Sequence, residues 1–121
     1  MEVIKNNSTL EQDKTNEPLF FGGTVSLQPI IGVSQSSYFN FSLVNFDAGA
    51  KNKFHTHTSD QILFVTKGTG IVANESEEKH ISEGDTAFIP SGEKHWHGAT
   101  DHSNFSHISL THPDSETEIF D

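Results

Sequence analysis

The chain has 121 residues, with 17 acidic side chains against 7 lysines, no arginine, no cysteine and a formal net charge of -10. That charge opposes any phosphate backbone or anionic membrane surface, so nucleic acid and membrane are excluded as expected partners. Without arginine there is no bidentate clamp for a dicarboxylate co-substrate, and without cysteine there is no disulfide, thiolate nucleophile or thiolate metal ligand.

Length sets a single domain. Ten Phe supply large apolar area, and nine Gly with four Pro supply turns, which favours a small all-β domain. Residues 1–17 lack apolar periodicity and read as a flexible arm, with Val3-Ile4 able to pair at a sheet edge. This polar start has no signal-peptide core, and no apolar run reaches membrane-spanning length, so a cytoplasmic location is expected.

Residues 18–111 alternate short β-prone runs with turn signals. The runs are Leu19–Phe21, Thr24–Ile31, Tyr38–Phe46, Phe54–Thr58, Ile62–Thr66, Gly70–Ala73, Thr86–Ile89 and Phe105–Leu110. Gly22-Gly23, Asp47-Ala48-Gly49, Lys67-Gly68, Glu83-Gly84-Asp85 and Pro90-Ser91-Gly92 punctuate them. Such spacing predicts a sandwich or barrel. Gln61, Leu63 and Val65 share one face of their strand, and Glu75–Lys79 reads as a solvated hairpin tip. Phe39, Phe41, Phe54, Phe64 and Phe88 are expected in the core or at a subunit interface. Residues 112–121 form an acidic tail with Ile119-Phe120 as its apolar anchor.

Chemistry concentrates in two segments. Residues two apart in a strand point the same way, so His55 and His57 can present both imidazoles to one ion, and Gln61 keeps their parity. His95 and His97 repeat the His-x-His arrangement in a second strand-like segment, which makes five potential ligands. His80, His102 and His112 stand in polar loop contexts and read as surface residues. Trp96, on the opposite parity to its two His neighbours, is expected to pack behind the site.

The spacing resembles the cupins. Gly49, His55, His57 and Gly68 fit the first cupin motif with Gln61 in place of Glu, and Gly84, Pro90, Gly92 and His95 fit the second with Ala99 in place of Asn. The resemblance implies a double-stranded β-helix, or jelly-roll barrel, holding one divalent transition metal through His55, His57, Gln61 and His95. Within the cupins, the segments Phe21–Val25, Pro90–Ala99 and Ser106–Leu110 are similar to small manganese-dependent members that include bacterial hydroxynitrile lyases, whose donors are three His and one Gln. The donor types leave Mn, Fe, Co, Ni and Zn open; that branch points to Mn or Fe and makes His107 the acid/base candidate, and His97, which shares the face of His95, is the second candidate. Thr111 stands where the lyases carry a pocket Gln.

The expected function is Lewis-acid and His acid/base cleavage of a carbon–carbon bond in a small neutral hydroxylated substrate. A dioxygenase of quercetinase type and a non-catalytic metal- or ligand-binding barrel are the alternatives. A half-open barrel with apolar strands and a β-prone arm suggests a homodimer.

Overall fold

A computed structural model describes residues 1–121, and every regular element in it is a strand. In chain order these are β1 (Gln12–Asp13), β2 (Phe20–Phe21), β3 (Val25–Ile31), β4 (Asn40–Phe46), β5 (Lys51–Asn52) and β6 (His55–His57). There follow β7 (Gln61–Asn74), β8 (Glu78–Ser82), β9 (Thr86–Ile89), β10 (His95–Ala99), β11 (Phe105–Thr111) and β12 (Thr117–Ile119). All pairings are antiparallel. One sheet runs β1-β3-β4-β11-β7-β9, and the other runs β2-β5-β10-β7-β8 with β6 and β12 attached through β10. The result is a curled all-β half-barrel, a barrel as the strand spacing predicts and the jelly roll that the cupin resemblance implies.

β7 joins the two sheets. Its first half pairs with β11 and β9 and its second with β10 and β8, so one strand of 14 residues turns the corner of the barrel. The sequence pattern predicts a turn at Lys67-Gly68 here, and the structure corrects it to a bend within a continuous strand. The register against β11 slips between Ser106 and His107, leaving Thr66 as the extra residue of a β-bulge, and Thr66 Oγ1 donates to the Ser106 carbonyl at 3.2 Å. Gly68 follows at φ +73°, where a Cβ would stand 1.8 Å from the Asn104 carbonyl oxygen. Gly68→Ala is therefore expected to cost at least about 3 kcal/mol, because positive φ and a backbone clash act together. Gly32→Ala, which meets nothing within 4 Å, should be near neutral; equal urea midpoints for the two variants would refute this account of the corner.

Both ends of the chain pair with the barrel. Gln12–Asp13, inside the segment read as an arm, pairs with β3, and Thr117–Ile119 of the acidic tail pairs with β6. Residues 75–77 form the β7–β8 hairpin tip, where Asn74 Oδ1 accepts from the Ser76 and Glu77 backbone amides at 2.9 and 3.0 Å.

The barrel interior has an apolar half and a polar half. Val25, Val44, Phe46, Ala50, Val65, Ile81, Ala99 and Phe105 form the apolar core. Gln61, Leu63 and Val65 are all buried, as their shared parity predicts. Phe46 marks the boundary: its ring stacks on Phe105 at 6.0 Å and meets His97 and His107 at 5.9 and 5.7 Å. Of the five phenylalanines expected in the core or at an interface, none is in the buried core, and Phe39, Phe64 and Phe88 are exposed.

Candidate metal centre

Cross-strand register assembles the site. His55 on β6 is paired directly with His95 on β10, which brings their ring centroids to 4.3 Å. His57 lies 4.9 Å from His55 and 5.5 Å from His95, and His97 stacks at 5.8 Å on His95. The donor atoms of His55, His95 and His97 all lie within 4.8 Å of one another, and the three residues are buried. A buried cluster of three imidazoles can hold a metal ion.

The hydrogen bonds define which nitrogens are free to do so. His55 Nδ1 donates to the Lys53 carbonyl at 2.7 Å and His95 Nδ1 to the Glu93 carbonyl at 2.8 Å, the same two-residue reach back along each strand. In a neutral ring this leaves Nε2 as a bare acceptor turned to the interior. His57 Nδ1 lies 3.0 Å from Thr117 Oγ1, and its Nε2 is buried without any partner. Gln61 Nε2 donates to Ser109 Oγ at 3.0 Å, which directs Oε1 to within 3.1 Å of His95 Nε2. With His95 Nδ1 protonated, that close pair consists of two acceptors. A cation among them converts a repulsive contact into shared ligation, so the residues present fit a metal ion.

His97 and His107 form a directional chain deeper in the barrel. His107 Nδ1 donates to the Ile108 carbonyl at 3.1 Å, so its Nε2 accepts from His97 Nδ1 at 3.2 Å, and the lone pair of His97 is left on Nε2. Asn52 holds this ring: its Oδ1 accepts the His97 backbone amide at 2.8 Å. Asn52 Nδ2 lies 3.4 and 3.2 Å from the two ring nitrogens, nearly equidistant and therefore off the axis of the Nε2 lone pair.

Burial governs the electrostatics. It holds His55 down at about 3, with the neighbouring His95 adding to the effect, and His57 down at about 4. Burial also lowers His95, takes His97 well below its ordinary value and brings His107 to about 4. All five imidazoles are thus neutral at pH 7, the state in which they bind metal or accept a proton.

A cavity of about 190 Å³ opens onto His55, His57, Gln61, His97 and His107. Leu19, Phe20, Leu27 and Val44 make an apolar wall, while Asn40, Ser42, Ser109, Thr111, Ser115 and Thr117 supply polar groups. The ligand and acid/base candidates other than His95 line this cavity, and His95 adjoins it through the 3.1 Å contact of its Nε2 with Gln61 Oε1. Asn52, Ser109 and Thr117 escaped the sequence reading because their roles arise from pairing between distant strands, for which no local pattern exists. Trp96 lies on the outer face of its sheet beneath Lys51, whose Nζ is 5.8 Å from the ring. His80 and His102 are exposed.

The cupin domain family matches residues 42–117. The chain is 34% identical over 92 residues to an (R)-mandelonitrile lyase from Granulicella tundricola, covering 75% of this chain and 70% of that protein. Among solved structures, KdgF from a Halomonas species is similar with a TM-score of 0.75 and 26% identity, covering 93% of this chain and 94% of that one. The polyketide cyclase RemF from Streptomyces resistomycificus superposes with a TM-score of 0.87 at 13% identity, covering 100% and 86%, a likeness of fold alone. Motif residues, jelly-roll topology and the family match agree, and the chain belongs to the cupin family.

Proposed function

We propose that this cupin is a metal-dependent lyase of hydroxynitrile lyase type, cleaving a small cyanohydrin to an aldehyde or ketone and hydrogen cyanide. The observation that carries the reading is a carboxylate-free donor set in which His55, His57 and Gln61 line one cavity with a neutral His97–His107 pair, and His95 joins the set through the 3.1 Å contact of its Nε2 with Gln61 Oε1. The identity to (R)-mandelonitrile lyase supports it. Mn or Fe is the proposed ion; when bound, it supplies Lewis-acid stabilisation of negative charge on the substrate oxygen, undiminished by any anionic ligand.

His97 Nε2 accepts the proton of the substrate hydroxyl, and its Nδ1–H, directed at His107 Nε2, lets the second ring share the resulting charge. The carbon–carbon electron pair departs with cyanide as an oxygen lone pair closes the carbonyl. His97 then returns its proton to cyanide, so the base is restored and HCN is released. Leu19, Phe20, Leu27 and Val44 receive the apolar substituent, and the cavity volume of about 190 Å³ restricts the substrate to a small molecule.

The test is release of benzaldehyde from mandelonitrile by protein loaded with about one Mn or Fe per chain. Turnover above the buffer rate is expected, and His107→Ala should lower it by about 10²-fold. Gln61→Glu should lower it at least about tenfold, since the added carboxylate cancels one unit of positive charge at the site. A fully loaded protein with no turnover above buffer would sink the lyase reading.

A further inference from the structure

We propose that the substrate of this site carries a second, uncharged hydroxyl on its substituent, and that Ser115 is the residue that selects it. Two side-chain atoms of the chain are buried without a hydrogen-bond partner in the protein, His57 Nε2 and Ser115 Oγ, and both residues line the cavity at the metal centre. A metal ion accounts for the first. The second is left over: a buried hydroxyl without a partner is costly to the fold, so its place on a cavity wall points to a partner that the cavity receives.

Main-chain bonds hold Ser115 in position. β11 ends at Thr111 in one sheet and β12 begins at Thr117 in the other, so the connection that carries Ser115 passes from sheet to sheet. Within it the Ser115 amide donates to the His112 carbonyl at 3.0 Å, and the Glu116 amide donates to Thr58 Oγ1 at 2.9 Å. The Thr58 amide donates back to the Glu116 carbonyl at 3.0 Å, and Thr117 is in register with His57. The backbone of Ser115 is thereby fixed from both sides, two residues from the threonine that orients His57, while its hydroxyl has nothing in the protein to bind.

The wall of the cavity says what that partner is. Along the inner face of β4 and β11, register places Phe46 opposite Phe105, then Val44 opposite His107, Ser42 opposite Ser109 and Asn40 opposite Thr111. Polarity thus rises along the strands, from an apolar end beneath His107 to an end made of hydroxyls and an amide. No carboxylate or ammonium lines the cavity, so the group received among them is uncharged. In the lyase reading, on which this assignment rests for its chemistry, the metal site and His97 already serve the reacting hydroxyl and the departing cyanide. Ser115 therefore meets a different atom, on the substituent whose apolar part lies against Leu19, Phe20 and Leu27. A hydroxyl is its natural complement, because serine, threonine and asparagine each donate and accept, as a ligand hydroxyl does. The substrate class is a small cyanohydrin with a hydroxylated aryl or alkyl body.

The experiment compares mandelonitrile with its 3- and 4-hydroxy derivatives on the Mn-loaded full chain, wild type and Ser115→Ala, with rates normalised to bound metal. Titration calorimetry with benzaldehyde and the two hydroxybenzaldehydes on the same samples reads binding without turnover. The better hydroxy isomer should be favoured about tenfold by the wild type, in kcat/KM and in aldehyde Kd, the worth of one neutral hydrogen bond in a desolvated site. Ser115→Ala should bring both ratios close to one. The urea midpoint of the ligand-free variant should be no lower than that of the wild type, because the substitution removes a hydroxyl that bonds to nothing in the fold; a structural serine would show the opposite. If none of the nitriles is turned over, the lyase reading fails on its own and the aldehyde affinities still decide the role of Ser115. Equal affinity for hydroxylated and unsubstituted compounds, a preference that Ser115→Ala retains, or a lowered midpoint in that variant would each overturn the assignment.

Discussion

His95→Ala is expected to abolish metal retention, leaving less than about 0.1 ion per chain where the wild type holds about one, and to reduce mandelonitrile turnover by at least about 10³-fold. His95 has this leverage because three other groups depend on it. It is paired in register with His55, its Nε2 faces Gln61 Oε1 at 3.1 Å, and its ring stacks on His97. Removing the imidazole deletes one donor and also leaves the Gln61 oxygen with nothing to converge upon. The measurement is elemental analysis of chelator-free protein alongside the assay, with His80→Ala as the exposed control. Retention of more than half the wild-type metal by His95→Ala would remove His95 from the ligand set.

Acidification of the metal-free chain is expected to have an effect of comparable size on stability. Unfolded imidazoles titrate near 6.5, whereas in the folded chain burial holds His55 at about 3 and His57 and His107 at about 4. Between those values the unfolded state binds more protons than the native one, so stability falls as pH falls from about 6.5 toward 4 and does not respond to these groups above that window. Each buried imidazole contributes up to about 1.4 kcal/mol per pH unit, so several together destabilise the fold steeply. Urea midpoints of chelator-treated protein at pH 7.5, 6 and 5 measure the effect, and a midpoint that does not fall between pH 7.5 and 5 would contradict a neutral buried cluster. Metal favours the native state by mass action, so loaded protein should hold its midpoint to lower pH.

The strands that carry the metal centre alternate, with Gln61 beside Ile62 and His107 beside Ile108. The alternation that buries a ligand therefore exposes an apolar neighbour on the reverse side.

The local pattern of the chain was enough to determine the all-β architecture, the shared inward face of Gln61, Leu63 and Val65, and the shared parity of His55 and His57. Each of these depends on period two or on motif spacing, and both are properties of neighbouring residues. Tertiary structure decided the rest. That Lys67-Gly68 bends a strand instead of ending it depends on the slip against β11 and on the Asn104 carbonyl that only Gly68 can approach. That Thr117 orients His57, Ser109 orients Gln61 and Asn52 holds His97 depends on strands far apart in the chain meeting in register. Hydrogen-bond direction within the His97–His107 pair follows from the Ile108 carbonyl, and the depressed proton affinities follow from burial. These are consequences of which groups the closed barrel places side by side, a pairing that no stretch of sequence carries within itself.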